Sequence, residues 1–160
     1  MQPYRPSLRG VTPWLVALCA GLAGQRSDAA GFGIGLGIDK PILSRSVAVV
    51  VVDYVSADPR FPWDIEGGRF GRHGHAGDFD AAPATYFASV QRRIQWEHLF
   101  VAGGIAWDSA NNDILSGHWQ FATGIGARFN RWTFSLRHLS NGGVTGHNHG
   151  ETYALVELAF

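Results

Sequence analysis

Beyond residue 30 the chain alternates between apolar and polar or small positions. Gly31 to Ile38 sets Phe32, Ile34, Leu36 and Ile38 between glycines. Trp119 to Phe129 sets Trp119, Phe121, Ile125 and Phe129 against Gln120, Gly124, Gly126 and Arg128. A period of two is the signature of a β-strand with unlike faces. Ser46 to Tyr54 is a run rich in valine, which favours an extended chain. Glu97 to Trp107 places Leu99, Val101, Ile105 and Trp107 on one side and Ala102, Gly104 and Ala106 on the other. Pro83 to Ile94, Arg131 to Ser140 and Glu151 to Phe160 extend the series, and Ile65 to Phe70 is its weakest member. Eight strands are therefore predicted.

Their connections alternate in length. Gln95-Trp96 and Asn130-Arg131 read as hairpin turns, whereas Arg72 to Ala82, Asp108 to Ser116 and Asn141 to Gly150 are long and polar. Strands of this kind, with short turns at one end and long loops at the other, fit a barrel that crosses a membrane. Lipid offers no partner to a backbone N–H or C=O, so a sheet within it must close on itself. The last strand ends in Phe160 after Leu158, Val156 and Ala154 at alternate positions, which looks like the terminal aromatic signal of bacterial outer-membrane barrels. The expected fold is all-β: an eight-stranded antiparallel transmembrane β-barrel of the bacterial outer membrane, formed by residues 31–160. The glycines from Gly31 to Gly37 then leave room for inward packing.

Composition sharpens this picture. Lys plus Arg and Asp plus Glu are equal at 13 each, which removes the electrostatic reason to expect a nucleic-acid partner. Residues 1–30 read as a secretory signal: Arg5 and Arg9 precede an apolar core from Val11 to Gly24, and cleavage is expected near Ala29-Ala30. That core is shorter than the ~20 residues a membrane helix needs. The single cysteine, Cys19, lies inside it, so the mature chain has neither disulfide nor thiol nucleophile.

The candidate chemistry lies at the end of the seventh strand. Trp132, Phe134, Leu136, His138 and Ser140 share one face of it, and Thr133, Ser135, Arg137 and Leu139 the other. An imidazole beside a hydroxyl is the minimal arrangement for activating serine. Both ends of the chain are expected in the periplasm, so the seventh strand rises outward and carries the pair to its outer end, facing lipid. Arg128 and Arg137 are expected to point into the barrel, where Glu157 is a candidate partner. His73-Gly74-His75 and His147-Asn148-His149 lack a third ligand in open geometry. They read as solvated loop residues, with His147 and His149 within reach of lipid phosphates, and neither metal nor organic cofactor is expected.

The segment Arg137-His138-Leu139-Ser140-Asn141-Gly142-Gly143, followed by Asn148-His149-Gly150-Glu151 and a final strand ending in Phe160, resembles the lipid A 3-O-deacylases of the PagL family. Weaker similarity includes Phe61-Pro62-Trp63 and the strands after Pro83. The resemblance implies an outer-membrane serine esterase that removes the 3-O-acyl chain of lipid A in lipopolysaccharide and releases a 3-hydroxy fatty acid. It implies Ser140 as nucleophile, His138 as general base, Glu151 as the acid of the triad, Asn148 and the Gly143 N–H as oxyanion donors, and Asn141 as support. A homodimer is compatible with it. Strict alternation counted back from Phe160 gives Leu158, Val156, Ala154 and Thr152 as the outward set and turns Glu151 inward. A bulge at Gly150 would reverse that direction. The competing readings are a structural or adhesive small barrel, a phospholipase, and a lipid A acyltransferase.

Overall fold

A computed structural model describes residues 30–39, 46–72, 83–112, 114–146 and 148–160. The expected signal segment except Ala30, together with His73, His75 and His147, lies outside these residues. The described chain forms β1 (Gly31–Asp39), β2 (Val47–Val55), β3 (Trp63–Phe70), β4 (Thr85–Trp96), β5 (Leu99–Asp108), β6 (Trp119–Phe129), β7 (Trp132–Ser140) and β8 (Glu151–Ala159). Each strand pairs antiparallel with the next, and β1 pairs with β8 from Gly33↔Ala159 to Asp39↔Tyr153, closing the barrel. Closure leaves no strand edge unpaired.

One end of the barrel carries residues 56–62 and the turns 97–98 and 130–131; at the other β1, β3, β5 and β7 end and β2, β4, β6 and β8 begin, with the described loop residues 109–112, 114–118, 141–146 and 148–150. We call these the turn end and the loop end. Asn130 sits in a tight turn with φ 56°, in agreement with the sequence. The β4–β5 turn is Glu97-His98 rather than Gln95-Trp96, because Gln95 and Trp96 stay in the ladder opposite Phe100 and Leu99. Trp96 continues the outward set of β4, and the reversal falls on Glu97, with φ 49°.

The two faces of the wall differ as the alternation requires. Outward stand large apolar side chains on every strand, among them Leu36, Val52, Ile65, Val90, Ile105, Phe121, Phe134 and Val156. The interior is filled in two sections. Toward the loop end, Phe70, Phe87 and Tyr153 pack their rings together, with centroids 4.8 to 5.7 Å apart. Around mid-barrel lies a charged cluster. Asp64 accepts from Arg93 at 2.8 Å and from Arg137 at 2.9 Å, and Arg137 also reaches Glu66 at 3.1 Å and Glu157 at 3.2 Å. The expected Arg137–Glu157 pairing is therefore present. This cluster explains why β3 was the weakest strand in the sequence. Asp64 and Glu66 stand inward beside the apolar Phe70, and Gly67 and Arg69 break the apolar outer face after Trp63 and Ile65, so neither face reads as uniformly apolar. In β1 the glycines allow inward packing: a Cβ on Gly35 would lie 2.5 Å from Val51 Cγ2.

Candidate active site on the outer wall

The end of β7 combines two local rules. Alternation carries His138 and Ser140 to the outer face along with Trp132, Phe134 and Leu136. The strand then stops because Gly142 and Gly143 follow with φ of 65° and 80°, a left-handed conformation that side chains with a Cβ rarely adopt. No atom would crowd a Cβ on Gly142, so backbone conformation rather than space calls for glycine there. The pair turns the 141–150 connection back over the end of β7.

Ser140 and His138 are half-buried on the outer surface. Phe121 of β6 stands beside Ser140, and Thr123 stands beside His138. The Ser140 hydroxyl donates to Asn148 Oδ1 at 3.0 Å and accepts from the Gly142 N–H at 3.2 Å. Asn148 Nδ2 in turn donates to Gln120 Oε1 at 3.1 Å, and Gln120 Nε2 donates to the Gly117 carbonyl at 2.9 Å. A chain of amides thus runs from loop 109–118 to the serine and sets which way each amide points. Gln120 is a member that the sequence did not disclose. It belongs to the inward set of β6 and reaches Asn148 only because the loop folds over the rim.

Asn141 builds the loop. Its Oδ1 accepts from the Gly143 N–H at 2.8 Å, and its Nδ2 donates to the Ser116 carbonyl and to Thr145 Oγ1. The expected supporting role of Asn141 therefore has a physical form: it ties loop 141–150 to loop 109–118. It also occupies the Gly143 N–H. The backbone donor that lies at the serine hydroxyl is that of Gly142.

The His138 ring is held on two sides. Nδ1 lies 2.8 Å from Thr152 Oγ1, and Thr152 stands directly across from His138 in the β7–β8 register. A Cβ on Gly150 would come within 2.6 Å of His138 Cε1 and 3.0 Å of Nε2. The Nε2 edge therefore lies against the residue just before β8, on the loop side, where Ser140 also stands. Gly150 has φ 71°, so both its conformation and the ring beside it require glycine.

Glu151 is placed apart from this pair. The register from Trp132↔Leu158 to Leu139↔Glu151 is continuous. Gly150 turns the chain before the strand begins and introduces no bulge within it. Glu151 therefore shares the interior face with Leu139 and is buried, while the outward position next to it belongs to Thr152. The structure brings Ser140, Asn148, Asn141 and the Gly142-Gly143 turn together, sets His138 beside them, and leaves Glu151 across the wall.

Among the described residues no three His, Cys, Asp or Glu side chains are grouped to hold a metal ion. Comparison with protein-family models, with curated proteins and with solved structures gave no match to this chain.

Proposed function

We propose that this protein is an outer-membrane serine esterase that hydrolyses the 3-O-acyl ester of lipid A and releases a 3-hydroxy fatty acid. The observation that carries the reading is the position of Ser140 and His138. A hydroxyl within an amide network and an imidazole held on two sides stand on the outside of a closed barrel, directly above exposed Leu136, Phe134 and Trp132. Such a wall suits acyl chains, and a nucleophile on it meets substrates that diffuse laterally in a lipid leaflet. With the long loops facing outward, the pair lies level with the outer leaflet, where lipopolysaccharide resides. The resemblance of residues 137–143 and 148–151 to the PagL family selects lipid A among the possible esters.

Each residue then has a task. Ser140 Oγ turns from Asn148 toward His138, gives its proton to Nε2 and attacks the ester carbonyl. The resting hydrogen bond to Asn148 is no obstacle, since catalytic contacts commonly tighten only with substrate present. The oxyanion accepts from the Gly142 N–H, while Asn148, whose Nδ2 is engaged by Gln120, positions the serine through its Oδ1; a backbone donor of this type typically contributes ~3 kcal/mol to the transition state. Collapse expels the sugar oxygen, which takes the proton from the imidazolium. Water, activated by the same imidazole, then releases the fatty acid from Ser140. The interior is filled by side chains, as in other eight-stranded barrels, and provides no competing route for substrate.

The test is mass spectrometry of lipid A from cells expressing the chain with and without Ser140→Ala. The expected result is loss of one hydroxyacyl group, with the rate lowered on the order of 10⁴-fold or more by the substitution. Unchanged lipid A, a gained acyl group, or phospholipid degraded in its place overturns the proposal.

A further inference from the structure

We infer that Thr152 is the positioning residue of His138, so that this hydrolase works with a neutral hydroxyl where a serine triad has a carboxylate. The inference rests on the esterase reading and goes beyond it in naming the group that orients the base and what that group costs in rate.

The geometry leaves one position for an orienting group. Nδ1 faces β8, and the β8 residue across from it on the outer face is Thr152, whose Oγ1 is 2.8 Å away. From β6 the lateral neighbour is Thr123, and from the loop the neighbour is Gly150. His149 stands in that loop one residue earlier. The ionisable groups adjacent in sequence, Arg137, Glu151 and Tyr153, are all buried on the other face of the wall. The partner of Nδ1 is thus an uncharged group.

Two consequences follow from the chemistry of a hydroxyl. A carboxylate only accepts, so it compels the Nδ1–H tautomer and leaves Nε2 free to take the serine proton. A hydroxyl both donates and accepts, so it holds the ring in place but selects the productive tautomer incompletely. A carboxylate also stabilises the imidazolium that forms as serine attacks, and threonine has no charge to do so. Thr152 therefore supplies orientation without electrostatic assistance, and the enzyme has turnover in reserve. Gly150 makes the arrangement workable, because a Cβ there would strike Cε1 and Nε2 of the ring and displace it from its single hydroxyl partner.

The experiment compares Thr152→Val, Thr152→Ser and Thr152→Glu as folded barrels in detergent micelles, using turnover of lipid A and imidazole ¹⁵N NMR. The His138 resonances are identified by their loss in His138→Gln. Thr152→Val keeps the shape of threonine and loses the hydrogen bond. It is expected to lower kcat about 10-fold at similar KM, to change the His138 tautomer signature, and to be rescued by Thr152→Ser. Thr152→Glu is expected to raise kcat about 10-fold at alkaline pH. It should also move the rising limb of the pH profile upward, since a carboxylate favours the protonated ring. Wild-type kcat and unchanged imidazole signals in Thr152→Val overturn the inference, as does a pH limb unmoved by Thr152→Glu. Failure of the esterase reading is seen separately, as an inactive parent chain. The ¹⁵N spectra then still decide whether Thr152 orients the ring, with an unaltered spectrum in Thr152→Val counting against it.

Discussion

Arg137 and His138 are neighbours in β7 and face opposite surroundings. Arg137 points inward, is 1% exposed, and meets Asp64, Glu66 and Glu157 within 3.2 Å. His138 points outward beside one threonine hydroxyl and a glycine backbone. The inner group is surrounded by opposite charge drawn from two other strands, β3 and β8; the outer one is held lightly by neutral groups. A buried ion pair is rigid because removing either member strands the other in a poorly solvating interior. In the proposed reaction the imidazole changes its proton during each cycle, and a network of fixed charges would resist that change. The wall of a single strand separates these two requirements.

Breaking the inner region should have the largest effect on stability. Asp64→Ala removes the carboxylate shared by Arg93 and Arg137 and is expected to cost about 3–5 kcal/mol. Denaturant unfolding in micelles measures it, and a loss below about 1 kcal/mol would mean that the cluster contributes little net stability. The same variant should retain the amide network around Ser140, so that on the proposed reading residual turnover per folded molecule stays near the parent value.

Altering the outer region should reverse that balance. Gly150→Ala is expected to lower stability by only about 1–2 kcal/mol, from strain at a positive φ. On the proposed esterase reading it is expected to lower kcat about 10²-fold, since the added methyl displaces the His138 ring and small misplacements of a general base are costly. Parallel measurements of turnover and unfolding separate the two effects; a variant that loses stability but keeps its rate would show that the ring position is not critical.

The smallest effect lies at the turn end, far from both regions. Asp58 accepts from the N–H groups of Phe61 and Arg60, at 2.8 and 3.0 Å, which hold its carboxyl below the usual value of 3.8. A lowered value in the folded chain means a contribution present above pH 3.8 and lost as pH falls through the folded value. Asp58→Asn is therefore expected to be slightly less stable than the parent at neutral pH. The difference should disappear in acid below that range, with no change in turnover. Unfolding midpoints at pH 7 and pH 3 check the sign.

Alternation was enough to read all eight strands to within about two residues, β3 most weakly, because a wall with an apolar outside needs one apolar face per strand. β3 was faint for a physical reason: Asp64 and Glu66 belong to an interior where arginines from β4 and β7 and the Tyr153 hydroxyl meet them, and Gly67 and Arg69 interrupt its apolar outer face. Local pattern likewise put His138 and Ser140 together on the outside. It could not assign the partner of the ring, since Glu151 and Thr152 are consecutive and a one-residue slip exchanges their faces.

Strand number, the two faces of β7 and the location of the hydroxyl and imidazole on its outer one were thus determined by the sequence itself, through its period of two. Tertiary structure decided what each group meets. The register of β8 against β7 brought Thr152 to His138 and took Glu151 inside. The folding of two loops over the rim carried Gln120 to Asn148 and the Gly142 N–H to Ser140. Those contacts join residues distant along the chain, and their geometry follows from closure of the sheet, which no local pattern encodes.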